Sequence, residues 1–165
     1  ALGSAAGLLA LAVPRPAPAP VPAEPEPGLQ LWPAERRPPF RLFIAGTWSE
    51  HRPQAMRWER GFFLHAVVVT ERGWERFQLL KNGSKEGAFY PDVEDATPAE
   101  GFSVLGPDGE GYGLSWQIGK PSVEQVRPGA SLVVVAGLDL EGALCVVDWR
   151  PGTLEPAAAQ APHNL

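Results

Sequence analysis

The chain has 165 residues and a net charge of −5, and its 14 Lys and Arg residues form no cluster beyond the pair Arg36 and Arg37. Proteins that bind duplex nucleic acid take much of their affinity from a basic surface, so nucleic acid is excluded as a partner. Because Cys145 is the only cysteine, an internal disulfide and the zinc sites built on paired cysteines are excluded too. The 19 prolines and 18 glycines exceed a fifth of the chain, against an average of about 12%, which favours many turns and few long helices.

The first 39 residues contain two different segments. Residues 1–13 are apolar, but a membrane-spanning helix needs about 20 residues. The segment is therefore interpreted as the remnant of a targeting or membrane segment. They are the only place for a membrane contact. Residues 14–39 form a Pro-rich arm in which alternating prolines favour polyproline II, as a semi-rigid spacer or as a ligand for an aromatic groove.

Neither the compartment nor the completeness of the chain is determined by the sequence. The chain begins with Ala1 instead of Met, which indicates a processed product or a piece of a longer protein. An organelle such as a plastid, after removal of a transit peptide, is one option for its location.

From residue 40 to residue 150 the pattern changes to short strands separated by turns, and residues 151–165 form a tail. Strands are predicted at residues 40–45, 62–69, 75–81, 88–90, 102–105, 114–118, 131–138 and 143–149. In the third of these, Phe77 and Leu79 share one face. Seven or eight short strands without an amphipathic helix predict an all-β fold, an antiparallel immunoglobulin-like β-sandwich.

Two connections are predicted to be hairpin turns. Asn82 and Gly83 follow a strand directly, and both residue types accept a positive φ, which makes this dipeptide a strong hairpin signal. Residues 139–142 join the last two strands in the same way. Cys145 lies in the apolar run of the final strand and is predicted to be a small core residue.

The sequence contains no motif of a catalytic or metal site. His51, His65 and His163 lack a partner at the HExxH spacing, and neither a GxSxG elbow nor a GxxxxGK[ST] loop occurs. The glycine-dense stretch 106–113 is interpreted as a turn. The acidic loop 91–101 lacks the EF-hand spacing and is interpreted as a solvated surface. We therefore expect a protein that is not an enzyme and that carries no metal or cofactor.

Tryptophan is the one residue type whose number suggests a ligand. A β-domain uses this residue either for an aromatic core or as a stacking platform for sugar rings. The six tryptophans are Trp32, Trp48, Trp58, Trp74, Trp116 and Trp149. Most are assigned to the core, whereas Trp48 and Trp74 lie in predicted loops and are the first candidates for exposed contacts.

Two stretches resemble the starch- and glycogen-binding β-sandwich modules. Residues 43–56, FIAGTWSEHRPQAM, are similar to the opening strand and turn of that family, and residues 73–83, GWERFQLLKNG, to a later strand and turn. Residues 61–69 and 143–149 are similar to two further strands. The resemblance covers residues 40–150 and implies a carbohydrate-binding module whose ligand is an α-glucan.

At the sugar-site positions that the resemblance implies, this chain carries other residues. His51 replaces one stacking tryptophan, Gln78 replaces a lysine, and Ser84 or Lys85 stands near a second stacking tryptophan. Trp48, Trp58 and Trp74 could supply a relocated platform. The candidate ligand-binding residues are Trp48, His51, Trp58, Trp74, Gln78 and Lys85.

Two functions remain open from the sequence. The one it favours is a non-catalytic structural or accessory subunit, or an interaction domain of a larger assembly. In that reading the Pro-rich arm contacts a protein partner, since a segment of this composition orders only against another surface. The alternative is a functional starch- or glycogen-binding module whose exposed tryptophans lie coplanar on one face.

Overall fold

The structure, a computed structural model, describes residues 29–156. The predicted apolar segment 1–13, the arm up to residue 28 and the tail from residue 157 onward lie outside the described residues. The strands are β1 Leu42–Gly46, β2 Pro53–Ala55, β3 Arg57–Glu59, β4 Phe62–Val68, β5 Glu75–Lys81, β6 Ala88–Pro91, β7 Val104–Asp108, β8 Trp116–Ile118, β9 Ser131–Leu138 and β10 Leu144–Pro151. Between residues 29 and 156 helix is confined to two 3₁₀ turns, Thr47–Ser49 and Lys85–Gly87, and neither could span a membrane.

The strands form two antiparallel sheets, which confirms the predicted all-β sandwich. The first sheet has the order β2-β1-β5-β6-β7. Strands β6 and β8 both pair with β5, at successive positions along it. Leu79 of β5 pairs with Phe89 of β6, and Phe77 of β5 pairs with Trp116 of β8. The second sheet has the order β10-β9-β4-β3. Every strand predicted from the sequence overlaps one of these strands.

The core lies between the two sheets and follows from the alternation of side chains along each strand. On β5, Phe77 and Leu79 point into the core as predicted, while Arg76 and Gln78 point to the outer face. Phe77 stacks on the fully buried Trp116 at 5.6 Å between ring centroids. Burying one such large apolar side chain stabilises the fold by about 1.5–3 kcal/mol, so this layer contributes much of the stability.

Strands β2 and β3 were not predicted. Residues 53–59 show no apolar alternation, because the two strands are three residues each and lie at the edges of different sheets. The buried Met56 separates them, and its N–H donates to the carbonyl of Leu42 at 2.9 Å. The chain therefore leaves the first sheet and enters the second at Met56.

The two predicted hairpin turns differ in outcome. Asn82 and Gly83 do adopt positive φ, at 54° and 76°. The connection is longer than two residues, however, because the side chain of Ser84 caps the 3₁₀ turn Lys85–Gly87 before β6 begins. The turn at 139–142 is confirmed, since the Asp139 carboxylate accepts the N–H groups of Glu141 and Ala143 at 2.8 and 2.9 Å.

Cys145 lies at a bulge of β10 and is half-buried. Burial, together with the charge of Asp139, raises the pKa of its thiol to about 11. The thiol is therefore protonated at neutral pH. The predicted core position of Cys145 is wrong, because the residue is half-buried at the bulge and belongs to none of the core clusters.

The described end of the predicted arm lies against its own sandwich. Leu31 forms a bridge with Asp139, and the N–H of Trp32 donates to the carbonyl of Leu138 at 2.8 Å. The Trp32 ring packs on the core, with the guanidinium of Arg36 at 4.8 Å from its centroid. Residues 29–39 are thus held by this domain, whereas the expected protein partner of the arm stays a prediction for residues 14–28.

Candidate functional site

The outer face of the first sheet carries a cleft of about 850 Å³. Its floor contains Ala45 of β1, Gln78 and Leu80 of β5, and Ala88 of β6. These residues share a face because Ala45 pairs with Gln78 and Leu80 pairs with Ala88, and alternate residues of a strand point the same way. Clefts that hold small ligands measure about 300–1,000 Å³, so the volume suits a binding site.

Loops form the walls of this cleft and place charges of both signs around it. His51 comes from the connection between β1 and β2, and Lys85 from the 3₁₀ turn before β6. Glu94 and Asp95 come from the loop after β6, and residues 109, 111–113 and 115 from the loop between β7 and β8. The cleft therefore combines polar and charged side chains on its walls with a floor whose apolar side chains are nearly covered.

The loop between β7 and β8 is tied firmly to the sheet. The side-chain amide of Gln78 donates to the carbonyls of Gly111 and Leu114, at 2.7 and 2.6 Å. Gly111 lies so close to the Tyr90 ring that any Cβ there would collide with it. The Tyr90 hydroxyl in turn donates to Asp108 at 2.8 Å. This wall of the cleft is therefore fixed by contacts with β5 and β6.

The turn that carries His51 has an uncommon backbone. Glu50 and His51 both lie in the left-handed region, with φ of 56° and 64°, which few residues other than glycine adopt. The N–H of His51 donates to the carbonyl of Gly46 at 2.8 Å and holds this conformation. Backbone strain of this kind clusters at functional sites, and here it brings an exposed imidazole to the cleft.

Arg76 links the cleft to Trp74. Its Nε donates to the Asp95 carboxylate at 2.8 Å, and its guanidinium lies 4.5 Å from the centroid of the Trp74 ring. Arg72 lies at 5.4 Å from the same ring. Trp74 is therefore half-buried and engaged by two arginines, and it does not line the cleft.

Trp48 and Trp58 pack against the core instead of lining the cleft. The indole N–H of Trp48 donates to Oε1 of Gln54 at 2.8 Å, and its ring covers Gly46 so closely that no Cβ fits there. The Trp58 ring meets Phe63 edge-on, with 4.9 Å between centroids. The cleft is thus formed without the three tryptophans that the sequence offered as a platform.

Three of the six candidate residues, His51, Gln78 and Lys85, do meet at one site. Their roles in binding stay predictions. The side-chain amide of Gln78 already donates hydrogen bonds to the loop between β7 and β8. Four further cleft residues were not predicted from the sequence: Arg76, Glu94, Asp95 and Tyr112. For Tyr112 a signal existed, since a single aromatic residue with a glycine on each side stands in the stretch 106–113.

Glu75 is a buried carboxylate that directly precedes the cleft residue Arg76 on β5. Burial raises the pKa of Glu75, but hydrogen bonds from Thr47 and Thr70 and the charge of Arg72 outweigh it, so the pKa is lowered overall. Thr47 Oγ1 donates to Glu75 at 2.6 Å and accepts the N–H of Arg76 at 3.1 Å. Glu75 is therefore an ionised structural group and no proton donor at neutral pH.

The described part of the chain holds no group of three or more His, Cys, Asp and Glu side chains placed to bind a metal ion. Three comparisons with known proteins, against family models, curated proteins and solved structures, found no match. The resemblance to starch-binding modules therefore rests on the residues quoted above alone.

Proposed function

We propose that this protein is a non-catalytic α-glucan-binding module whose ligand lies in the cleft on the first sheet. One observation carries the proposal. His51, Gln78 and Lys85 stand at the positions to which the resemblance assigns sugar contacts, they come from three separate segments of the chain, and all three line one cleft.

The chemistry of the cleft matches that of a glucose ring. A pyranose presents C–H groups on its faces and hydroxyls around its edge. Ala45, Leu80 and Ala88 of the floor have exposed fractions of only 8%, 3% and 4%, so the floor offers these faces a small apolar area. On the walls, Lys85 can donate hydrogen bonds and the Glu94 carboxylate can accept them. A sugar hydroxyl can therefore act either as an acceptor or as a donor. Arg76 offers little to an anionic ligand, because its guanidinium already pairs with the Asp95 carboxylate at 2.8 Å.

Affinity is expected to be modest. The cleft is open and its walls are largely exposed, so hydrogen bonds formed there replace bonds to water and contribute only about 0.5–1.5 kcal/mol each. A dissociation constant of about 0.1–1 mM, equivalent to about 4–5.5 kcal/mol, is expected for a short glucan.

Affinity electrophoresis of the full chain in gels with soluble starch tests the proposal. The wild type should be retarded, and a His51→Asn/Lys85→Ala variant should lose at least half of the retardation because two wall contacts are removed. Asparagine is chosen at position 51 because it tolerates positive φ. Arg52→Ala/Glu86→Ala is the matched control, since these exposed neighbours do not line the cleft and should leave retardation unchanged.

Two results would count against the proposal. One is the absence of retardation of the wild type at any starch concentration. The other is equal retardation of the wall variant and the wild type, which would place the sugar site elsewhere on the molecule.

A further inference from the structure

Tyr112 is the most exposed large aromatic or aliphatic side chain among residues 29–156. Its exposed fraction is 99%, whereas Val68, the next in order, reaches 57%. It belongs to the loop between β7 and β8 and lines the rim of the cleft. An aromatic ring gains stability by burial, so complete exposure contributes nothing to the fold and needs another explanation.

The backbone around Tyr112 is fixed although the ring is free. The N–H of Leu114 donates to the carbonyl of Gly111 at 3.0 Å, and Gly113 has a φ of 80°. This is the pattern of a type II turn with Tyr112 and Gly113 at its two central positions. Leu114 anchors the turn by packing with Leu80 and Tyr90 on the outer face of the sheet.

The anchors on both sides of the turn come from other strands. Gln78 of β5 donates to both ends of the turn, and Tyr90 of β6 packs on Gly111. A ring displayed on a fixed turn loses little entropy when a ligand covers it, because its backbone is already ordered. The flanking glycines, without side chains, leave both faces of the ring open.

We infer that Tyr112 is the stacking residue of the cleft, and that its ring packs on the C–H face of a glucose unit bound there. This inference rests on the proposed glucan-binding function. It replaces the tryptophan platform expected from the sequence with one tyrosine from the loop between β7 and β8. The Tyr112 hydroxyl stays free to exchange hydrogen bonds with a sugar hydroxyl.

Calorimetric titration of the full chain with maltoheptaose tests this role. Tyr112→Ala should raise the dissociation constant about tenfold, because an aromatic stacking contact of about 1.4 kcal/mol corresponds to that factor. Tyr112→Trp should bind at least as tightly as the wild type, since the larger ring keeps the stacking face. Leu105→Ala is the control, because Leu105 is 40% exposed and does not line the cleft.

Stability separates the binding effect from a folding effect. Both Tyr112 variants should keep the wild-type Tm, because the Tyr112 ring is fully exposed. If the wild type binds maltoheptaose and Tyr112→Ala binds equally well, the stacking role is wrong while the glucan-binding function stands. If the wild type itself binds no glucan by either method, the function fails and the stacking role fails with it.

Discussion

At the scale of single residues, Glu75 is the side chain on which the most local structure depends. It is fully buried, and its two oxygens accept hydrogen bonds from Thr47, Thr70 and Arg72 at 2.6–2.8 Å. The carboxylate thereby joins the turn after β1, the loop after β4 and the start of β5. No local pattern predicts this, because the partners lie up to 28 residues apart in the chain.

Glu75→Gln should lower the free energy of unfolding by about 2–4 kcal/mol, since the amide keeps the shape of the side chain but turns an N–H donor toward hydroxyl and amide donors. Urea unfolding followed by tryptophan fluorescence measures this. Glu71→Gln is the control, because Glu71 is exposed in the same loop. A loss below about 0.5 kcal/mol, typical of a surface position, would show that the network is unimportant.

Tyr112 illustrates what sequence reasoning misses at this scale. Strand positions reveal themselves by alternation, but a single exposed ring in a glycine-rich loop has no periodicity. Its surroundings are set by Gln78 and Tyr90, which are distant in sequence. The glycines on each side indicated a turn correctly, and only the fold shows that the turn borders a cleft.

At the scale of elements, strands with clear alternation or a dense apolar run were predictable, whereas only some of the connections were. Strands β9 and β10, with their hairpin, follow directly from valine-rich runs and a turn. Strands β2 and β3 did not, because three-residue edge strands carry too few residues for a pattern. The positive φ of Asn82 was predictable from residue type, whereas the extra 3₁₀ turn depends on a cap by Ser84.

The loop between β7 and β8 is the element on which the cleft depends. Gln78→Glu removes the N–H donors that bind Gly111 and Leu114 and turns a carboxylate toward their carbonyls. Hydrogen–deuterium exchange of residues 109–115 should become at least tenfold faster, which reflects about 1.4 kcal/mol or more of lost local stability. Gln54→Glu, at a half-buried glutamine outside the cleft, is the control. Unchanged protection of this loop would contradict its anchoring by Gln78.

At the scale of the whole molecule, stability should decrease in two steps as the pH falls. Burial lowers the pKa of His65 below 6.5, although a backbone hydrogen bond with Ala55 offsets part of this. As the pH falls, His65 is therefore protonated in the unfolded chain at a higher pH than in the folded protein. The free energy of unfolding decreases as the pH falls through 6.5 toward the lowered pKa. Glu75, whose pKa is lowered from 4.5, adds a second loss below that pH for the same reason.

Thermal unfolding at pH 7.5 and pH 5.5 isolates the first step. The wild type should have the lower Tm at pH 5.5, and His65→Gln, which cannot be protonated, should show a smaller difference between the two. An equal difference in both proteins would mean that His65 does not control stability in this range.

The most direct test of the proposed glucan-binding role of the cleft is an ¹H–¹⁵N correlation titration of the full chain with maltoheptaose. The proposal predicts that the amide signals of His51, Gln78, Lys85 and residues 109–115 shift together with one dissociation constant, while those of the second sheet stay in place. Shifts centred on β4 and β9, or none at millimolar ligand, would contradict a sugar site on the first sheet.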